Sequence, residues 1–229
     1  MSSRSPRAAA LAAPARVPAL MLALALLLGA CSSQPPSPAP DAAPTAPAPS
    51  AEPTSLDDLD PATMRVPRAY LCAGLPAAAV EAALLGEPRR VETWADGEQA
   101  RLTDRVRDVA HEGGCRFDGP SRTSAAAWVF APPVAPQRAD ELAAAATSGD
   151  RGCREVPDTA TYGDPSVART CRTGPLRETR YAGLVGDAWL TCSLSAPRSV
   201  DRADLEARAD AWCAAVLLGA APDQTSATG

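Results

Sequence analysis

The amino-acid sequence predicts an α+β domain: an antiparallel sheet covered on one face by helices and stapled by disulfides. Three observations carry that expectation. Helical and extended patterns follow one another as helix, strands, helix, strands, helix, an order that suits a sheet with helices laid against it. Six of the seven cysteines stand between residues 72 and 213. The nine aromatic residues (four Trp, three Tyr, two Phe) all lie between Tyr70 and Trp212, which puts the packed core within residues 68–220. A chain of 229 residues has room for one such domain, or two small ones at most.

Taken in order, Leu75-Pro76 opens a helix over residues 77–85, with proline in the first turn and Gly86 as its stop. Cys115-Arg116-Phe117-Asp118, running into Gly119-Pro120, reads as a strand with Cys115 and Phe117 on one face. Trp128-Val129-Phe130 before Pro132-Pro133 is the next strand. Residues 137–147 form an alanine-rich second helix, capped by Gly149. Residues 153–171 carry turn signals at Gly163-Asp164-Pro165 and read as a stapled loop or hairpin. Residues 181–194 turn at Gly186-Asp187, and Leu190, Cys192 and Leu194 then alternate with Trp189, Thr191 and Ser193. A last helix starts at Ser199 or Asp201. It gathers Leu205, Ala209, Trp212, Cys213, Val216 and Leu217 on one face, opposite Arg202, Glu206 and Asp210.

Ahead of this domain stands a different kind of chain. Arg4, Arg7 and Arg16 make a basic start, and residues 19–28 are an unbroken apolar run closed by Gly29 and Ala30. That is the pattern of a secretory signal over residues 1–30. The run is half the ~20 residues that a spanning helix needs. Leu28-Gly29-Ala30-Cys31 resembles a bacterial lipobox, which implies a diacylglyceryl group on the Cys31 sulfur and cleavage that leaves Cys31 first. Two acyl chains suffice for stable anchoring at ~0.8 kcal/mol per buried CH₂. Cleavage would leave 19 arginines against 27 carboxylates, a net charge of −8, so the acyl chains and not the protein surface must hold the membrane. Residues 31–67 are rich in Pro and Ala, with Leu56 and Leu59 the only large apolar side chains up to Pro61, and read as a disordered tether. Residues 221–229 read as a flexible tail.

With Cys31 assigned to lipid, Cys72, Cys115, Cys153, Cys171, Cys192 and Cys213 remain, an even number suited to disulfides in an oxidising compartment. Six cysteines allow 15 pairings. The expectation is sequential pairing, Cys72–Cys115, Cys153–Cys171 and Cys192–Cys213, because the last two close short loops. His111 and Cys115 have i, i+4 spacing, but no C-x-x-C pair is present to complete a metal site.

Together, Leu28-Gly29-Ala30-Cys31, the proline-rich tether, Cys72 ahead of the first helix and Gly114-Cys115-Arg116-Phe117 opening a strand resemble a group of small actinobacterial lipoproteins with an extracytoplasmic, disulfide-stapled domain. The resemblance implies a place on the outer face of the cytoplasmic membrane, facing the cell wall, and binding of a small solute or an envelope protein. It supplies no catalytic residues and no cofactor.

Composition excludes several alternatives. The formal charge of −5 argues against a nucleic-acid partner. The chain has no Asn, hence no N-glycosylation acceptor, and a single histidine, His111, so a multi-histidine metal site is excluded. No nucleophile elbow, phosphate loop, H-E-x-x-H or dinucleotide fingerprint occurs. His111 beside Gly113-Gly114 reads as a solvated loop residue. Arg101, Arg105 and Arg107, interleaved with Asp104 and Asp108, read as a salt-bridged surface with i, i+4 pairs. The most site-like segment is Tyr162-Gly163-Asp164-Pro165-Ser166, an exposed loop pinned by a bridge, with Tyr162, Asp164 and Ser166 as candidate binding residues. The function expected is non-catalytic binding. The alternative is a cell-wall glycan hydrolase or transferase using two carboxylates drawn from Asp96, Glu98, Asp104, Asp108, Glu112 and Asp118.

Overall fold

The computed structural model describes residues 54–68, 71–101, 106–148, 152–157, 159 and 161–221. Cys31, the leader, the tether up to residue 53, Asp104, Arg105, Gly149 and the tail from residue 222 lie outside them. In chain order the elements are α1 (Ala77–Leu84), β1 (Arg90–Trp94), β2 (Gln99–Arg101), β3 (Arg107–Val109), β4 (Glu112–Asp118), β5 (Ser124–Phe130), α2 (Pro136–Thr147), β6 (Cys153–Glu155), β7 (Ser166–Thr173), β8 (Leu176–Val185), β9 (Ala188–Pro197) and α3 (Arg202–Ala220). Seven strands form one antiparallel sheet in the order β1-β4-β5-β9-β8-β7-β6, and β2 and β3 pair separately. The fold is α+β, as the element order implies.

The sheet is built around the hairpin β8–β9, where Gly186-Asp187 joins two strands of ten residues. Alternation along both strands separates two faces. Tyr181 and Val185 of β8, with Leu190, Cys192 and Leu194 of β9, belong to the main core, which also holds Leu205, Trp212 and Leu217 of α3 and Val80 and Leu84 of α1. Ala182, Leu184 and Trp189 point the other way and pack with Val134 and Ala139. Helices α1 and α3 therefore share one face, and α2 lies on the opposite one. The expectation of helices on a single face is corrected here: β9 is buried along both faces, so a covering element is needed on each side.

The cysteines pair sequentially, as Cys72–Cys115, Cys153–Cys171 and Cys192–Cys213. Cys192 and Cys213 join the central strand to α3, and both residues are buried at 0% exposure. Cys153 and Cys171 are directly opposed residues on β6 and β7. Each bridge stabilises by roughly 2–4 kcal/mol, and their presence fits an extracytoplasmic domain. No helix among the described residues is long and apolar enough to cross a membrane.

The domain also begins earlier than composition indicates. Ser55 caps a short 3-10 turn, Leu56–Asp58, and a second turn, Pro61–Thr63, is capped by Asp60. Leu56 is wholly buried in the main core, and Met64 and Val66 are nearly so. Residues 54–66, assigned above to the tether, are thus a strap folded onto the domain. Average composition missed it because few apolar side chains are needed when the surface receiving them is already built; a buried leucine contributes about 1.5–3 kcal/mol.

Two further readings change. Gly113 and Gly114 lie within β4, not in a turn. A Cβ at Gly114 would stand 2.6 Å from the Trp94 ring and 2.7 Å from the Ala127 carbonyl, so glycine there lets an aromatic side chain approach the strand. Arg101 and Arg107 face each other across the β2–β3 ladder instead of following a helix, and Arg101 pairs with Glu92 and Asp118.

Candidate functional site

From β6 the chain returns to the sheet as β7 by a loop that carries the segment singled out in the sequence. Val156 N–H donates to the Ala168 carbonyl, and Asp164 N–H donates to the Leu184 carbonyl at 2.9 Å, so both ends of the loop are sewn to the sheet. Gly163 has φ +141°, and a Cβ on it would sit 2.5 Å from the Leu184 carbonyl oxygen. Only glycine allows the loop to lie so close to β8.

That seating buries Tyr162. Its exposure is 1%, its ring meets Tyr181 edge-on at 6.1 Å, and its hydroxyl has no hydrogen-bond partner among the described residues. Burial holds the phenol well above its ordinary pKa. The expectation of an exposed binding tyrosine is therefore corrected: Tyr162 is core, because the close approach of Gly163 to β8 turns its neighbour inward. Ser166 starts β7, opposite Gly183, and lines neither of the two depressions that the loop borders. Asp164 alone of the three is exposed at a cavity.

Strap and loop together bound two depressions of about 330 Å³ each. The first lies between Asp60, Pro61 and Ala62 of the strap and Thr161, Gly163 and Asp164 of the loop, with Leu184 and Gly186 of the β8–β9 hairpin behind them. In the second, the strap contributes Ser55 and Asp57, and the loop contributes Val156, Pro157 and Thr159. Helix α3 adds Ala203, Glu206, Ala207 and Asp210, and Tyr181 rises from β8.

The second depression is the more organised. Asp210 Oδ2 accepts from Ser55 Oγ at 2.8 Å and from Leu56 N–H at 3.3 Å, so one carboxylate oxygen holds the strap to α3. Glu206 Oε1 accepts from Thr170 Oγ1 at 2.7 Å, and Thr170 in turn shares a hydrogen bond with Thr179. The Arg202 guanidinium stands 3.7 Å from Glu206. Tyr181 is 1% exposed, and its hydroxyl makes no hydrogen bond among the described residues. Burial raises its pKa, and the charges of Asp210, Glu206 and Asp57 raise it further.

The carboxylates named for hydrolysis are elsewhere. Asp96 lies 3.8 Å from the exposed His111, Glu98 accepts from Ala95 N–H, and Asp118 is held by Arg101 and Arg116. Glu112 is on β4, where burial pushes its carboxyl up. None of these, nor Asp108, lines either depression. Sequence reasoning placed Glu206 and Asp210 on the polar face of the last helix but saw no site there. The signal available was a helix with carboxylates at i, i+4, which is common on solvated surfaces.

Among known proteins, no family model matches the chain and no curated protein matches it. Among solved structures, the chain is similar to a GTP-binding regulator from Thermotoga maritima at 10% identity, with 65% of this chain and 92% of that one covered and a TM-score of 0.30. A similarity of that size assigns no function to this chain.

Proposed function

We propose that the mature chain begins at Cys31, is held on the outer face of the cytoplasmic membrane by a diacylglyceryl group on that sulfur, and presents a non-catalytic binding domain to the cell wall. The observation that carries the binding half is the cleft: two depressions walled by the strap, the segment that joins the domain to its tether. A ligand or partner bound there would be met at the end of the domain where the tether enters. The basic start, short apolar run and lipobox-like Leu28-Gly29-Ala30-Cys31 support the anchoring half, as does the even number of remaining cysteines, all of them bridged. This is the arrangement of the actinobacterial lipoproteins that the chain resembles.

Mass analysis of the native chain is the test. The expected result is an N-terminus at Cys31 carrying the lipid, and a Cys31→Ala chain that is either released into the medium or left with its leader uncut. A bare Cys31 thiol with residues 1–30 still attached would overturn the anchor, and retention of Cys31→Ala on the membrane would do the same.

A further inference from the structure

We propose that the depression between the strap, the 156–159 segment and α3 binds a primary ammonium group borne on a short alkyl chain. This deepens the binding reading above and rests on it. Asp57, Glu206 and Asp210 line the depression with no cationic side chain among its lining residues, and Arg202 stands 3.7 Å from Glu206, so the site is negative and suits a cation. The ligand-facing group is Tyr181. Its residue is 1% exposed, it lines the cavity, and its hydroxyl lacks a partner among the described residues. That hydroxyl is not among the wholly buried polar atoms, so it opens onto the cavity, and an ammonium, with three donors and no acceptor, can donate to it and to a carboxylate beside it. Asp210 and Glu206 each commit one oxygen, Oδ2 and Oε1, within the protein. Their other oxygens make no hydrogen bond among the described residues.

The remaining wall, Val156, Pro157, Ala203 and Ala207, is apolar and suits methylene groups. Among the described residues no group of three carboxylate, histidine or cysteine side chains stands close enough to hold a metal ion. The chemistry recognised is that of an alkyl diamine or a lysine-like side chain.

The test is titration of 1,5-diaminopentane into the full chain in detergent micelles, followed by calorimetry. Glutarate, the dianion with the same number of carbons, is the comparison. Saturable binding of the diamine and none of glutarate is expected. Asp57 is exposed, so Asp57→Asn leaves the fold intact; it should weaken binding about tenfold, and Tyr181→Phe should weaken it several-fold, as loss of a charge-assisted hydrogen bond does. Asp164→Asn removes the same charge from the first depression and should change affinity less than about twofold, since solvent and salt screen that distance. Absence of saturable diamine binding, binding of glutarate, or equal weakening by Asp164→Asn would each overturn the proposal. Membrane fractionation of the same chains separates the two readings: a chain that stays on the membrane and ignores the diamine loses the ligand and keeps the anchor.

Discussion

The two faces of the sheet solve the same problem with different chemistry. On the face under α1 and α3, β5 presents Ala125, Ala127 and Val129, all at 0% exposure, and α3 fills the depth they leave with Trp212. The Trp212 ring meets Phe117 edge-on at 6.0 Å, and its N–H donates to the Ala126 carbonyl. On the other face α2 covers only the end near Trp189 and Leu184. The rest is closed by long polar side chains. Arg101 bridges Glu92 and Asp118, Arg116 joins Asp118, and Arg180 lies 5.4 Å over the Trp128 ring. Beneath them Thr191, Ser193 and Ser195 are buried. Apolar area removed from water drives the first face, whereas side-chain stems and exposed ion pairs shield the second, which contributes far less per group. Strand alternation alone does not reveal this, because both faces of β9 are buried.

The comparison can be broken at its strong side first. Trp212→Ala should cost about 3–5 kcal/mol by removing a buried aromatic and leaving a cavity, and a denaturant midpoint shift at constant slope would measure it. A cost below about 1 kcal/mol would mean that α3 does not carry the core. Next comes Gly114, where Trp94 lies close against the polar face. Gly114→Ala drives a methyl into the Trp94 ring and the Ala127 carbonyl and should cost about 1–3 kcal/mol, with a change in tryptophan near-UV circular dichroism. An unchanged signal would show that Trp94 is not held against β4. Smallest is Arg180→Ala, where an exposed ion pair with Glu178 and a ring contact should together be worth less than about 1 kcal/mol. A loss comparable to that of Trp212→Ala would erase the distinction between the faces.

Much of the fold was legible because its signals are local. The turn at Gly186-Asp187, the apolar stripe from Leu205 to Leu217 and the proline before Ala77 each depend on residues a few positions apart. Five strands were not separately legible, β6 among them because it is only three residues long. In β1, Val91 and Trp94 fall on opposite faces, and β2 and β3 are three residues long, too short for a period to register. In β7 the inward Ala168 and Thr170 are too weakly apolar to mark a strand. Of the candidate site, only Asp164 was found where expected. Tyr162 was misplaced because a seating glycine, and not hydropathy, decides which way it faces.

The sequence by itself determined the leader-like start, the parity of the cysteines, the α+β class and the amphipathic last helix, since periodicity and spacing are properties of neighbouring residues, whereas the choice among fifteen cysteine pairings came from the structure. The tertiary structure alone decided that the strap belongs to the domain, that α2 takes the far face and that Ser55, Thr159, Tyr181 and Asp210 share one cavity. A cavity is the space left between surfaces of segments remote along the chain. Its shape and charge therefore exist only once those surfaces have packed.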